Sequence, residues 1–302
     1  MTTAEQREDH SVRAALRQVV GSSRPVSWIN TAYPFAAAYL LSGGLGRDGV
    51  AELVVGTLYF LVPYNLLMYG LNDVWDYESD LRNPRKGGLE GVVLSRRWHR
   101  LTVWSAVLSN LPFLAYLVAV GSPASTAVLA VSVFAVVAYS APGLRFKERP
   151  VLDSATSSTH FVSPAVFGLA LAGGTLSVPV VAALAGFFLW GMASQAFGAV
   201  QDVDADRAAG IGSIATWLGA ARTVRAAIAG YTAAGLALLL TGWPAALSAA
   251  LVVPYIASAA PYRSLSDAEC ERAHAGWRRF LWLNQVTGFL VTQLLIWISL
   301  RG

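Results

Sequence analysis

Of the 302 residues, 55% are hydrophobic and only 13% are charged, about half the charged share of a soluble domain, which excludes an ordinary soluble globular fold. The net charge of +4 is modest and dispersed, so no nucleic-acid partner is expected. The single cysteine, Cys270, excludes an intrachain disulfide and leaves the redox compartment open.

In chain order, residues 1–22 form a polar, charged N-terminal tail without the basic-then-apolar order of a signal peptide. Residues 23–302 read as a single transmembrane domain of nine apolar segments. The first, near 25–43, follows Arg24 and contains Trp28 and Asn30. The second, 50–72, contains Asn65 and runs into NDVWDYESD, residues 72–80. The third is near 101–120, and the fourth, 124–141, runs into YSAPGLRFKERP, residues 139–150. The fifth, 155–173, contains His160, Phe161 and Phe167, and the sixth, 178–200, runs into QDVDADRAAG, residues 201–210. The last three lie near 222–242, 245–262 (interrupted by Pro254 and Pro261) and 280–300, which contains Trp282. Lys and Arg divide twenty to two between alternate connections, only Arg47 and Arg301 falling on the poorer side. The positive-inside rule then predicts an all-α bundle of nine membrane helices, multi-pass in the cell membrane, with a cytoplasmic N-terminus.

Both acidic clusters fall on the basic, cytoplasmic side. On a continuous helix Asp73, Asp76 and Asp80 share a face, as do Asp202 and Asp206, while Asp204 points elsewhere. One Asp at a helix end is usually a solvated end. Five at the bilayer centre would cost on the order of 15 kcal/mol, so they must lie at the water boundary or be neutralised. Mg²⁺ takes one or two carboxylates together with water and phosphate oxygens; two aspartate faces with Mg²⁺ between them would clamp a diphosphate. A calcium loop in DVDADRAAGIGS is rejected, because position 6 is Arg207 instead of Gly and position 12 is Ser213 instead of Glu. Arg145 and Lys147, in the loop after the fourth segment, supply the cations that a departing diphosphate needs. Asn30 and Asn65 lie within apolar segments and must find partners. A lone buried Asn more often staples helices than binds substrate, and His160 reads as a satisfied structural histidine.

NDVWDYESD fits the NDxxDxxxD motif of the UbiA-type intramembrane prenyltransferases without a mismatch. QDVDADRAAGIGSIAT resembles their second aspartate-rich motif, and YSAPGLRFKERP their loop between the fourth and fifth helices. Within that family SSRPVSWINTAYPFAAAYLL, PYNLLMYGLNDVWDYESDLRNPRKGGLEGVVL, YSAPGLRFKERPVLDS and FFLWGMASQAFGAVQDVDADR resemble the lycopene elongases of C50 carotenoid synthesis. The resemblance implies dimethylallyl diphosphate as donor, lycopene as acceptor, Mg²⁺ as cofactor, and an active site facing the cytoplasm. It implies Asn72, Asp73, Asp76 and Asp80 as one metal motif and Asp202 and Asp206 as the other. Arg145 and Lys147, with Arg24 and Asn30 from the first helix, would bind diphosphate, and Tyr139 would sit near the allyl group. Asp204 and Glu78 match no essential position. A carotenoid cyclase is a candidate partner, and membrane lipid surrounds the whole.

A C40 acceptor demands a long apolar groove open to lipid, with walls expected from the first, fifth and ninth segments through Trp28, Phe161, Phe167 and Trp282. Three other readings compete. A different lipophilic or aromatic acceptor would be separated by an acceptor assay. An ion or solute transporter is disfavoured because the acids cluster at one membrane face instead of the midplane. A catalytically degenerate structural partner of a cyclase is disfavoured by the intact aspartates.

Overall fold

The computed structural model describes residues 12–46, 49–81 and 94–301, apart from the side chains of residues 79 and 80. Among the described residues all regular structure is helical: α1 Val12–Ser22, α2 Ile29–Leu41, α3 Val50–Leu61, α4 Pro63–Trp75, α5 Tyr77–Asp80, α6 His99–Val120, α7 Pro123–Ser140, α8 Leu152–Leu171, α9 Val178–Ala199, α10 Val203–Ala208, α11 Ile214–Leu218, α12 Ala220–Leu239, α13 Val253–Ala259 and α14 His274–Ser299. The N-terminal stretch therefore includes a helix, α1, which packs on α4 and α6.

Six described stretches are long and apolar enough to cross a membrane: Val50–Trp75, Arg96–Val120, Pro123–Ser140, Val178–Ala208, Ala245–Tyr262 and Asp267–Ser299. The other three predicted segments are helical as well, with a physical reason for each shortfall. Helix α2 has 13 residues, about 20 Å at 1.5 Å per residue. Helix α8 carries Asp153, Ser154, Thr156, Ser157, Ser158, Thr159, His160 and Ser163, and α12 opens with Arg222 and Arg225. Val54, Trp104, Leu108, Phe134, Leu236 and Phe289 stay exposed on the outside of the bundle. A bilayer covers such a surface, and the chain is a multi-pass membrane protein.

Buried polar groups sit where the helices break. Pro63 divides α3 from α4, because it lacks the N–H that a continuing helix needs. The amide of Asn65 donates to the carbonyls of Phe60 (2.7 Å) and Leu61 (3.1 Å), and the Thr31 hydroxyl donates to Phe60 at 2.6 Å. From α6, Asn110 donates to the carbonyl of Pro63 at 2.7 Å. Asn65 is thus a staple between α2 and the kink, which lipid could not solvate. In the eighth segment the chain runs as a 3-10 helix over Ala245–Val252 before α13, and Pro254 and Pro261 occupy first-turn positions of successive short helices, where a missing N–H costs nothing.

The buried apolar side chains form two clusters. Phe35, Tyr59, Phe60, Tyr64, Leu117, Val136 and Phe167 centre the first, in the N-terminal helices. Phe197, Val200, Tyr231, Tyr255 and Phe280 centre the second, in the C-terminal ones. Helices α8 and α9 join them through polar contacts: Ser158 Oγ donates to the Phe188 carbonyl at 2.7 Å and Ser157 Oγ to Gln195 Oε1 at 3.0 Å. Each aspartate motif ends a helix of a different cluster.

Candidate active site

The first motif spans the end of α4. Asn72 and Asp73 lie in its last turn, and Asp76 terminates it with φ −99° and ψ 3° while its N–H still donates to the Asn72 carbonyl at 2.9 Å. The chain resumes as α5. The expectation of one continuous helical face through Asp73, Asp76 and Asp80 is corrected by this break; the side chain of Asp80 lies outside the described ones. The backbone at Asp76 has left the helical region, so the face cannot continue through it. A helix C-terminus carries a partial negative charge, so two carboxylates there are unfavourable unless cations meet them.

The cations are present. The side chain of Asp73 is 0% exposed and receives Arg24 Nη2 at 3.2 Å. The same guanidinium lies 4.3 Å from the ring centroid of Tyr69, one helical turn before Asp73. Asp76 is paired with Lys147 Nζ and with Arg145 Nη2 at 3.5 Å, and Arg145 also pairs with Glu148. Burial pushes the Lys147 ammonium down to about 8, against the opposing pull of Glu148 and Asp73. Glu148 holds the Arg145 guanidinium above its ordinary value. The backbone of this loop has φ +40° at Arg145 and +73° at Val151. Positive φ is unfavourable for a β-branched residue, at about 1–3 kcal/mol, and the loop keeps its shape because it is held at both ends.

One end is Asp76. The other is the loop after the second motif: a Cβ at Gly212 would lie 2.4 Å from the Glu148 carbonyl oxygen, so the chains meet there only because residue 212 is glycine. Asp153, just past the cationic loop, accepts the N–H of Ile214 at 2.9 Å. Residues 141–153 therefore bridge the two motifs.

In the second motif Asp202 closes a 3-10 turn, Val200–Asp202, and Asp206 lies in α10. Both are half-buried, and Asp204 is exposed. Among the described residues no three His, Cys, Asp or Glu side chains converge tightly enough to hold a metal ion by themselves. Tyr139 is half-buried, edge-on to His160 with centroids 5.1 Å apart, and within electrostatic reach of Tyr69 and Arg24. It belongs to the same neighbourhood as Asp73. Asn72 Nδ2 donates to Ser140 Oγ at 2.9 Å, joining α4 to α7.

Other predicted positions fall elsewhere. Asn30 is exposed in the first turn of α2, and its side chain makes no hydrogen bond to a described residue. Trp28 is half-buried and donates from Nε1 to Ser23. Phe161 is half-buried on α8. Phe167 is corrected from groove wall to core: it is 0% exposed and its ring lies 5.8 Å from those of both Phe35 and Phe60. Trp282, 77% exposed, stands on the outer face of α14. Helix α14 reaches α2 through Thr292 Oγ1, which donates to the Tyr33 hydroxyl at 2.9 Å.

Sequence reasoning passed over Tyr69, Ser140, Glu148, Gln201 and His274. Tyr69 had a signal, since it lies four residues before Asp73 and so on the same helical face. Gln201 and His274 had none: His274 Nδ1 and Gln201 Oε1 are 2.7 Å apart across 73 residues of chain.

A sequence model of the UbiA prenyltransferase family matches residues 31–286. The chain is 57% identical over 277 residues to the C(50) beta-cyclic carotenoids biosynthesis protein LbtBC of Dietzia sp.; the match covers 91% of this chain but 63% of that protein, so the chain spans less than two thirds of that relative's length. It is 50% identical over 281 residues to the lycopene elongase/hydratase of Corynebacterium glutamicum, covering 93% and 97% of the two chains. A UbiA homolog from Archaeoglobus fulgidus, whose structure holds DMAPP and Mg²⁺, has the same fold at 19% identity, with a TM-score of 0.62 over 89% of this chain and 98% of that one. Family model and high-identity relatives agree with the two aspartate motifs and the cationic loop between them: the chain belongs to the UbiA prenyltransferase family.

Proposed function

We propose that this protein transfers dimethylallyl groups from dimethylallyl diphosphate to the two ends of lycopene, giving a C45 and then a C50 carotenoid. The observation that carries the reading is the ion-paired arrangement of Arg24 on Asp73 and of Arg145 and Lys147 on Asp76 at one end of the bundle. The names of the relatives in Dietzia and Corynebacterium supply the acceptor class. The donor set fits Mg²⁺: Asn72, Asp73, Asp76, Asp80, Asp202 and Asp206 offer only hard oxygen or amide groups. When bound, Mg²⁺ would add positive charge beside the leaving diphosphate.

The residues of the chain do the rest. Arg24, Arg145 and Lys147 exchange carboxylate partners for diphosphate oxygens, which lets the carbon–oxygen bond break with both electrons leaving on the diphosphate. Tyr139 and Tyr69 offer ring faces to the allylic cation. The terminal double bond of lycopene gives its π pair to form the new carbon–carbon bond. The resulting tertiary cation is discharged by proton loss, or by adding water that then gives up a proton. Packing around α4, α7 and α8 keeps water from the allylic cation until the acceptor has reacted. In this reading nine helices cross the bilayer, the N-terminus and the active site face the cytoplasm in accord with the distribution of Lys and Arg, and a carotenoid cyclase is a candidate recipient of the product.

Membranes containing the protein, incubated with Mg²⁺, dimethylallyl diphosphate and lycopene, should yield carotenoids heavier by one and two C5 units by mass analysis. EDTA should abolish turnover and added Mg²⁺ restore it; full activity in a demonstrably metal-free preparation would defeat the clamp.

A further inference from the structure

We infer that His274 is a positioning residue for the second aspartate motif, acting through Gln201. Gln201 immediately precedes Asp202 in the 3-10 turn and is 6% exposed. It is held at three points. Its Nε2 donates to the Gly198 carbonyl at 3.0 Å, its Oε1 faces His274 Nδ1 at 2.7 Å, and its own carbonyl accepts from Cys270 Sγ at 3.6 Å. The first bond fixes the orientation of the amide, because only the nitrogen can donate to a carbonyl. The oxygen must then face the ring, so His274 Nδ1 carries the proton and donates it.

The geometry gives the bond its purpose. His274 is the first residue of α14. Farther along, α14 exposes Trp282, Val286 and Phe289 and is tied by a few polar contacts, Tyr255 with Asn284 and Thr287 and Thr292 with Tyr33. Its start is packed against other helices: the Phe280 ring lies 5.9 Å from that of Trp190 and 5.7 Å from that of Tyr255, and Trp277 covers Gly198, whose added Cβ would come within 2.8 Å of the indole. Segment 270–280 thus grips residues 197–201, the turn that delivers Asp202. Asp202 directly follows Gln201 in the same 3-10 turn, so holding Gln201 holds the backbone that carries the Asp202 carboxylate. Groups that orient metal-binding carboxylates without touching the metal typically change affinity by about 10–100-fold when removed. The inference rests on the proposed metal-dependent reading of the site.

The test measures metal binding without turnover. Purified protein is titrated with Mn²⁺ in the presence of dimethylallyl S-thiolodiphosphate, an unreactive donor analogue, and free Mn²⁺ is read by electron paramagnetic resonance. His274→Ala should weaken Mn²⁺ binding by about tenfold or more. His274→Asn, whose amide nitrogen occupies the place of Nδ1, should restore most of it, and His274→Gln, whose nitrogen falls at the place of Nε2, should not. The Asn–Gln comparison carries the test if the Ala variant fails to fold. Equal Mn²⁺ affinity in wild type and His274→Ala, or equal affinity in the Asn and Gln variants, would overturn the positioning role. Absence of Mn²⁺ binding by the wild type would overturn the metal reading itself, and the proposal with it.

Discussion

Asp73 and Asp76 stand at the C-terminal end of a helix, where the macrodipole is unfavourable to them, and Arg24, Arg145 and Lys147 are the local remedy. Each removal of a motif carboxylate therefore disturbs a charge balance as well as a metal ligand. Asp73→Asn, Asp76→Asn, Asp202→Asn and Asp206→Asn should each lower prenyl transfer by about 100-fold or more, with protein of unchanged monodispersity in detergent. Asp204→Asn should stay within a few-fold of wild type, because Asp204 is exposed while Asp202 and Asp206 are half-buried. Rates from purified variants at saturating Mg²⁺ decide this. An Asp204 variant as damaged as the Asp202 variant would mean that the turn at Val200–Asp202 points the carboxylates differently.

The elements that build the site are short and irregular, and their roles can be separated by substitution. Phe167→Ala should lower stability by about 3–5 kcal/mol, since it empties a fully buried aromatic position, and should leave the product pattern of the surviving enzyme unchanged. Phe161→Ala, at a half-buried position on the same helix, should shift the ratio of singly to doubly extended product with little loss of stability. Denaturation in detergent and product analysis of the two variants would distinguish core from groove. Gly212→Ala should lower activity more than stability, because its methyl group meets the Glu148 carbonyl at 2.4 Å and would push the cationic loop off Asp76; wild-type turnover in this variant would deny the loop its bridging role. The helices themselves were legible. Each of the nine predicted apolar segments contains described helix, six of them long and apolar enough to cross a membrane, and spacing singled out Asp73 and Asp76, which the structure pairs with Arg24, Arg145 and Lys147. The breaks were not. The chain leaves α4 at Asp76 with no proline or glycine to mark the place, and the 3-10 run at Ala245–Val252 is as apolar as the helices around it. Contacts between distant segments, such as His274 with Gln201 or Phe167 with Phe35 and Phe60, leave no periodic trace. A lone histidine at the start of an apolar run looks the same whether or not it holds another element in place.

At the scale of the whole molecule, the two apolar clusters meet mainly through the polar seam of α8 and α9. Among the described residues the cationic loop after α7 joins the motif carried by each half. An acceptor that spans the hydrocarbon core, about 30 Å thick, can present only one end at a time to such a site. In the proposed reading it enters sideways from the bilayer, since an approach from water would first expose a C40 apolar chain to water. In the proposed reading α14, which touches α2 through Thr292 and Tyr33, would form a wall of that entry. Lycopene supplied in membranes should therefore yield the C45 species first, with C50 appearing after a lag, because the half-finished product must leave and return reversed. Time courses at limiting dimethylallyl diphosphate should show C45 rising and then falling. A hydroxylated C50 product would mean that water captures the last cation, and a hydrocarbon product that a proton is lost instead. C50 appearing at its full rate from the first turnover, without free C45, would require both ends to react in one binding event. Prenylation of 4-hydroxybenzoate in the same membranes, with lycopene recovered unchanged, would replace the acceptor while leaving the diphosphate chemistry of the two motifs intact.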